Sequence, residues 1–235
     1  MKLVLGTIQD QSLIPLIEGI HLRGGRIAGS FAAHVASPNI GFNPSDIDIW
    51  VEDEQKSMKV VDFIKMHYYY TVSVKGPRQN PYFEDISNII DVTVSGNPGK
   101  KFQVIENNKP IHEVVSDFDY SICKAFLDPS RIPGVWVDEN FLQDVENKRL
   151  RIDKVGDKRT YGAIFYRLTK YMDRGFRPKF EDIVQLIASV KEEDKLILIL
   201  YIIGMDSLSE KIRDKLKLLY SFAQIDSKIE FQLGL

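Results

Sequence analysis

The sequence predicts an α+β fold, a mixed β-sheet flanked by helices and followed by a helical C-terminal region. Three observations predict it. Helix-like and strand-like patterns alternate from residue 9 to about Ser116, helical patterns accumulate after that point, and apolar residues make up 44% of the chain with 27% charged. That composition belongs to a globular chain with a substantial core, not to a disordered one.

The elements follow in order. Leu13, Ile14, Leu16, Ile17 and Ile20 recur at helical spacing, and Gly24-Gly25 ends the pattern. "RIAGSFAAHV" reads as a strand, a turn at Gly29 and a helix from Ser30; "SPNIGFNPS" reads as a loop. "DIDIWV" alternates as a strand, "QKSMKVVDFIKMHYY" is helical, and "YTVSV", "NIIDVTVSG" and "KKFQVIE" are strands. "SDFDYSICKAFL" reads as a helix opened by a capping box, Ser116 with Asp119 three residues on. Four further helices are expected in "RTYGAIFYRLTKYMDRG", "FEDIVQLIASV", "KLILILYIIGM" and "SLSEKIRDKLKLLYSF". The Pro- and Gly-bearing "PSRIPG" and the charged stretch after it mark the expected boundary, giving domains 1–130 and 131–235.

The bulk numbers exclude several classes. A net charge of -2 leaves a nucleic-acid partner to a local basic patch. The single cysteine, Cys123, forms no internal disulfide or Cys-rich zinc site and suits a reducing compartment, so a cytoplasmic location is the expectation. The apolar run at the N-terminus is too short for a signal peptide, and "LILILYIIGM" is too short to span a bilayer, so no membrane role is expected. His21, His34, His67 and His112 show no ligand spacing and read as structural.

Asp46 and Asp48 are the residues to explain. Charged groups are poor strand formers and costly to bury. At alternate positions of one strand they share a face, with Ile47 and Ile49 on the other. Carboxylates this close repel unless a cation lies between them, and oxygen ligands on a rigid strand suit Mg²⁺. Asp91, inside "NIIDVTV", is equally out of place. If its strand lies beside that of Asp46 and Asp48, three carboxylates converge, enough for two metal ions and a phosphoryl or nucleotidyl displacement. The plainer alternative is that Asp46 caps a turn while Asp48 and Asp91 face solvent. Gly29 allows a close backbone approach to a ligand, and Ser30 opens a helix whose amides and hydroxyl suit phosphate. An ordinary strand-to-helix turn is the alternative there.

Together "AGS", "SDIDIWV" and "IIDVTV" resemble the nucleotidyltransferase-fold superfamily, which includes polymerase β, CCA-adding enzymes, poly(A) polymerases and antibiotic nucleotidyltransferases. The resemblance covers roughly residues 20–95. It implies that Gly29 and Ser30 meet a triphosphate and that Asp46, Asp48 and Asp91 hold two Mg²⁺ ions, with Mn²⁺ as a substitute. The implied reaction moves an NMP from an NTP such as ATP to an acceptor hydroxyl on an RNA 3′ end, a protein or a small molecule, releasing pyrophosphate. Asp91 is then the candidate to help deprotonate the acceptor. A non-catalytic nucleotide- or nucleic-acid-binding protein on the same fold is the rival reading. The chain has Phe31-Ala32-Ala33 where CCA-adding enzymes typically carry Val-Arg-Asp.

Further candidates for the nucleotide pocket are Ser121 and Lys124 after the sheet. Arg167, Lys170 and Arg174 recur at helical spacing as a basic stripe for triphosphate or RNA, with Ile164, Leu168 and Tyr171 as the core face. A solvated helix end, favourable with the dipole, is the alternative.

Overall fold

In this computed structural model the residues described are 1–68, 72–78, 86, 88–96, 100–152, 161–188, 190, 192–205 and 208–217. The chain divides into two compact units, Met1–Asn147 and Lys148–Leu235.

The first unit is built on eight strands: β1 (Lys2–Leu5), β2 (Arg26–Ala28), β3 (Ile47–Val51), β4 (Val72–Arg78), β5 (Asn88–Val94), β6 (Lys100–Glu106), β7 (Ala125–Leu127) and β8 (Gly134–Val137). They form one sheet in the order β1-β8-β7-β2-β3-β6-β5-β4. It is mixed because β3 and β6 run parallel while the other pairs are antiparallel. Among its described residues the unit also has helices α1 (Ile14–Leu22), α2 (Ser30–Ala36), α3 (Glu54–Tyr68), α4 (Ile111–Ser116) and α5 (Phe141–Glu146), with short 3₁₀ turns between elements.

Alternation along the strands gives the sheet two unlike faces. Ile27, Ile47, Ile49, Val51, Phe102, Val104, Val92, Val94, Ala125, Leu127, Val135 and Val137 are all buried on one face. There Ile20 of α1 approaches Ile49 across Gly25, and Tyr68 of α3 lies 6.0 Å from the Phe102 ring. Among the described residues of this unit, α4 covers one end of the opposite face, and Ile86 packs on Ile89, Ile105 and Trp50 beside it. Val115 of α4 packs on Ala28 and Phe126, with Ile111, Phe118, Trp50 and Trp136 around them.

Two expectations are corrected. "SDFDYSICKAFL" is not a helix. Ser116 ends α4 and its hydroxyl donates to the Glu113 carbonyl; a 3₁₀ turn at Ser121–Cys123 and strand β7 follow. The capping-box spacing is overridden by tertiary context: Ala125, Phe126 and Leu127 are buried in a strand paired between β8 and β2. Strand β8 likewise lies beyond the point where helices were expected to take over.

The second unit carries α6 (Tyr161–Asp173), α7 (Phe180–Ala188) and α8 (Glu192–Ile203), with residues 210–217 also helical. Asp182, in the first turn of α7 and buried, organises its start. Its carboxylate accepts from the Arg149 guanidinium at 3.3 Å, from the Lys179 amide at 2.9 Å and from the Ile152 amide at 3.4 Å. An anion here also suits the positive end of the helix. No helix among the described residues is long and apolar enough to cross a membrane.

His21, on α1, is buried, and neither ring nitrogen has a hydrogen-bond partner among the described residues. Burial, reinforced by Arg26 and opposed by Asp128, lowers its pKa from 6.5 to about 4. Between those values the unfolded chain binds the proton more readily, so stability is fully present above pH 6.5 and falls as pH drops toward 4. The loss from this one group is roughly 2–3 kcal/mol. His21→Leu is expected to flatten that acid limb by a similar amount in urea titrations at pH 7 and pH 4.5. An unchanged pH dependence would show that other groups set it.

Candidate functional site

The half of the open face that α4 leaves uncovered is polar, and sheet register determines what stands there. Ala28 pairs with Asp48 across β2–β3, Asp48 with Gln103 across β3–β6, and Gln103 with Asp91 across β6–β5. Directly paired residues point to the same side, so Asp48, Gln103 and Asp91 form one row. Lys75 of β4 extends that row opposite Asp91, and Lys101 and Thr93 stand one row further out. One row inward the face turns apolar with Trp50, Ile105 and Ile89. The Trp50 and Phe118 rings lie 5.9 Å apart at the border.

Gly29 lies against this row. It sits between β2 and α2 with φ 77° and ψ −142°, a combination close to glycine-only territory. Its amide donates to the Ala125 carbonyl and its carbonyl accepts from Ala33, which fixes the turn from both sides. A Cβ placed there would lie 3.3 Å from Asp48 Oδ2 and 3.8 Å from the Phe118 ring. Gly29 is thus the point where backbone comes close beneath the Asp48 carboxylate. Ser30, half-buried, is the first residue of α2.

Asp46 lies immediately before β3, half-buried, and accepts from the Ser45 hydroxyl at 3.1 Å. Asp48 is half-buried, while Ile47 and Ile49 are 7% and 0% exposed, so the alternation read from the sequence holds.

Asp91 does not adjoin the pair. The condition for three converging carboxylates was adjacency of their strands, and β6 lies between β3 and β5. Two strand spacings separate Asp91 from Asp48, about 10 Å across the sheet. The position beside Asp48 is filled by Gln103, whose Nε2 donates to Asp91 Oδ1 at 2.7 Å. Among the described residues no group of three or more His, Cys, Asp or Glu side chains is arranged to hold a metal ion. The donor set therefore fits one hard divalent cation at Asp46 and Asp48, completed by water or phosphate oxygens, and does not fit the two-ion set built on three acids.

Ser121 and Lys124 are corrected as pocket residues. Ser121 is fully buried and its hydroxyl donates to Asp144 Oδ2 at 2.6 Å. Lys124 is buried and its Nζ donates to the Ser116 carbonyl at 2.7 Å, capping the last turn of α4. In the second unit, Arg167 and Lys170 are half-buried on α6, and Arg174 follows its last turn with the guanidinium 5.3 Å from the Tyr171 ring. Leu168 and Tyr171 are core, as expected; the Ile164 side chain lies outside the described residues.

Sequence reasoning missed Gln103, Lys75, Trp50 and Phe118. A signal existed for Gln103: a polar residue between Phe102 and Val104 of an alternating strand faces away from the core, as Asp48 does between Ile47 and Ile49.

A family model described as "Gad2: Gabija anti-defense 2 family protein" matches residues 2–148. No curated protein matches the sequence. Among solved structures, the Thermotoga maritima CCA-adding enzyme complexed with tRNA is 12% identical with a TM-score of 0.56, covering 90% of this chain and 52% of that one. A CCA-adding enzyme in complex with ATP is 14% identical with a TM-score of 0.54, covering 92% and 51%. A tRNA-processing enzyme in an apo form is 11% identical with a TM-score of 0.54, covering 93% and 58%. These likenesses show the nucleotidyltransferase fold, and the chain spans about half the length of the structures it matches.

Gly29→Val is expected to lower unfolding free energy by about 1–3 kcal/mol, since a β-branched residue fits poorly at this φ and its Cβ would press on Asp48. Urea titration measures it. Equal stability would show that the turn relaxes without cost and that Gly29 is not needed for close approach.

Proposed function

We propose that this chain, which belongs to the Gabija anti-defense 2 family, counters Gabija in the cytoplasm as a divalent-metal-dependent nucleotidyltransferase. It would move an NMP from an NTP, ATP among the candidates, to an acceptor hydroxyl and release pyrophosphate. The observation that carries this reading is the close approach of the Gly29 backbone to Asp48, with Asp46 next to it on the uncovered half of the face.

Each residue has a part. Gly29, lacking a side chain, lets a triphosphate lie close to the backbone beside Asp48. The Ser30 hydroxyl donates to a phosphate oxygen. Asp46 and Asp48 hold Mg²⁺ or Mn²⁺. When bound, that cation neutralises charge on the phosphates and on departing pyrophosphate. Lys75 and Lys101, exposed on the outer rows, add positive charge for an anionic ligand. Asp91 can take the acceptor proton only from an acceptor reaching about two strands across the face. An RNA 3′ end, a protein and a small molecule are all suitable acceptors. In the RNA version Arg167, Lys170 and Arg174 supply the phosphate contacts of the second unit, and binding falls steeply with salt. The division into a catalytic domain, residues 1–130, and a helical C-terminal domain, residues 131–235, belongs to the same proposal.

A second reading is nucleotide binding without turnover. It is favoured by the amide of Gln103 standing beside Asp48 in place of a third acid.

Asp48→Asn separates these readings. It is expected to leave the fold intact and to cut Mn²⁺-dependent pyrophosphate release by roughly 100-fold or more, given that even outer-shell changes cost 10–100-fold at metal sites. Release is followed by a coupled phosphate assay, with circular dichroism as the check on folding. Equal release by wild type and variant sinks the catalytic assignment. NTP binding with no release by wild type selects the second reading.

A further inference from the structure

We infer that Gln103 restricts the site to a single divalent cation by standing between Asp48 and Asp91 as a neutral amide that engages the Asp91 carboxylate. The inference rests on the reading that Asp46 and Asp48 bind the metal.

Gln103 is the residue directly opposite Asp48 on the one strand that runs parallel to β3. Any third ligand shared with Asp48 from the neighbouring strand would have to come from this position. A carboxylate there would give the pair a third negative charge; the amide gives none. Its Nε2 is engaged with Asp91 at 2.7 Å, so the group it can offer a cation is its carbonyl oxygen, a neutral ligand. Strand order sets Asp91 on the far side of β6, where Lys75 stands opposite it in the β4–β5 register, and the same hydrogen bond occupies its carboxylate. Two carboxylates balance one divalent charge. A second cation between Asp48 and Asp91 would share Asp48 with the first ion and add only the Asp91 carboxylate, already engaged by the amide and with an exposed lysine beyond, and so lacks the further anionic ligands that two-metal sites require. Gln103 is thus a positioning residue: it acts on Asp91 through a hydrogen bond and on the metal site by withholding charge.

Gln103→Glu changes charge with almost no change in shape. It adds a carboxylate opposite Asp48 and removes the N–H donation to Asp91. Mn²⁺ titration of the full chain, with free Mn²⁺ counted by its electron paramagnetic resonance signal, reads affinity and stoichiometry independently of turnover. Wild type is expected to bind one Mn²⁺ per chain. Gln103→Glu is expected to bind a second ion, or to bind the first roughly 10-fold more tightly. Asp91→Asn is expected to match wild type in both affinity and stoichiometry, because Asp91 is not a ligand. Two ions on wild type, an unchanged Gln103→Glu, or weakened binding in Asp91→Asn would each overturn the role of Gln103 while leaving the metal at Asp46 and Asp48. Wild type without bound Mn²⁺, or Asp48→Asn binding as wild type does, would overturn the underlying reading as well.

Discussion

Strand β3 is held between β2 and β6, antiparallel to one and parallel to the other, and the candidate site depends on that double register. A slip of one residue on either side would turn Asp48 toward the core and Ile49 toward solvent. The slip is opposed by the complete burial of Ile27, Ile49 and Val104, which lie side by side on the packed face. The hydrophobic face therefore fixes the polar one. Burying aliphatic side chains beneath the sheet sets the row of Ala28, Asp48, Gln103 and Asp91 above it, and the same pairing brings the Gly29 turn under the Asp48 carboxylate.

What could be read in the sequence was local. Alternation in "DIDIWV" matches the direction of Asp48 and of Ile47 and Ile49, and the Gly29-Ser30 turn lies where the end of a strand and the start of a helix placed it. Strand order is not local. Asp91 is out of place within its own strand, and that signal was real, but periodicity carries no information on which strands become neighbours. The chain forms β5, turns back, and lays β6 rather than β5 beside β3. Gln103 attracted no notice because an exposed glutamine in a strand costs little, whereas an aspartate there demands a reason. The short strands β7 and β8 were missed for a related reason. Three or four buried residues show too little alternation to distinguish a central strand from a helix segment. Ser121 and Lys124 were named as residues of a helix expected to follow the sheet, a placement that says nothing about the direction of their side chains. Burial against Asp144 and the end of α4 decides that.

The two ends of the open face divide the labour of one surface. At one end α4 lays Val115 on Ala28 and Phe126, and Trp50 and Phe118 close the border. At the other, Asp46, Gln103, Lys101 and Lys75 remain half-buried or exposed. Low-dielectric packing directly beside the carboxylates reduces the screening of any charge held between them, while the outer lysines stay where water and an incoming anion reach them. A site at the margin of a helix's cover combines both conditions.

Strand β1 pairs with β8 and stands at an edge of the sheet. Its partner residues, Gly134–Val137, follow it by about 130 residues. The β2–β3 pair can form as soon as residue 51 is available, but β1 has no strand to join until β8 has been made. During synthesis at roughly 5–20 residues per second, the first strand therefore waits on the order of ten seconds outside the ribosome with its hydrogen-bonding groups unpaired. Closing so long a loop makes it one of the last pairings of its unit and raises contact order well above that of the hairpins at the other edge. Birth order and assembly order thus run in opposite directions at this edge. Strand β1, made about 130 residues before its partner, is among the last to be secured, and a nascent chain halted before Val137 would carry the Gly29 turn and a β2–β3 pair within a sheet whose edge is still open.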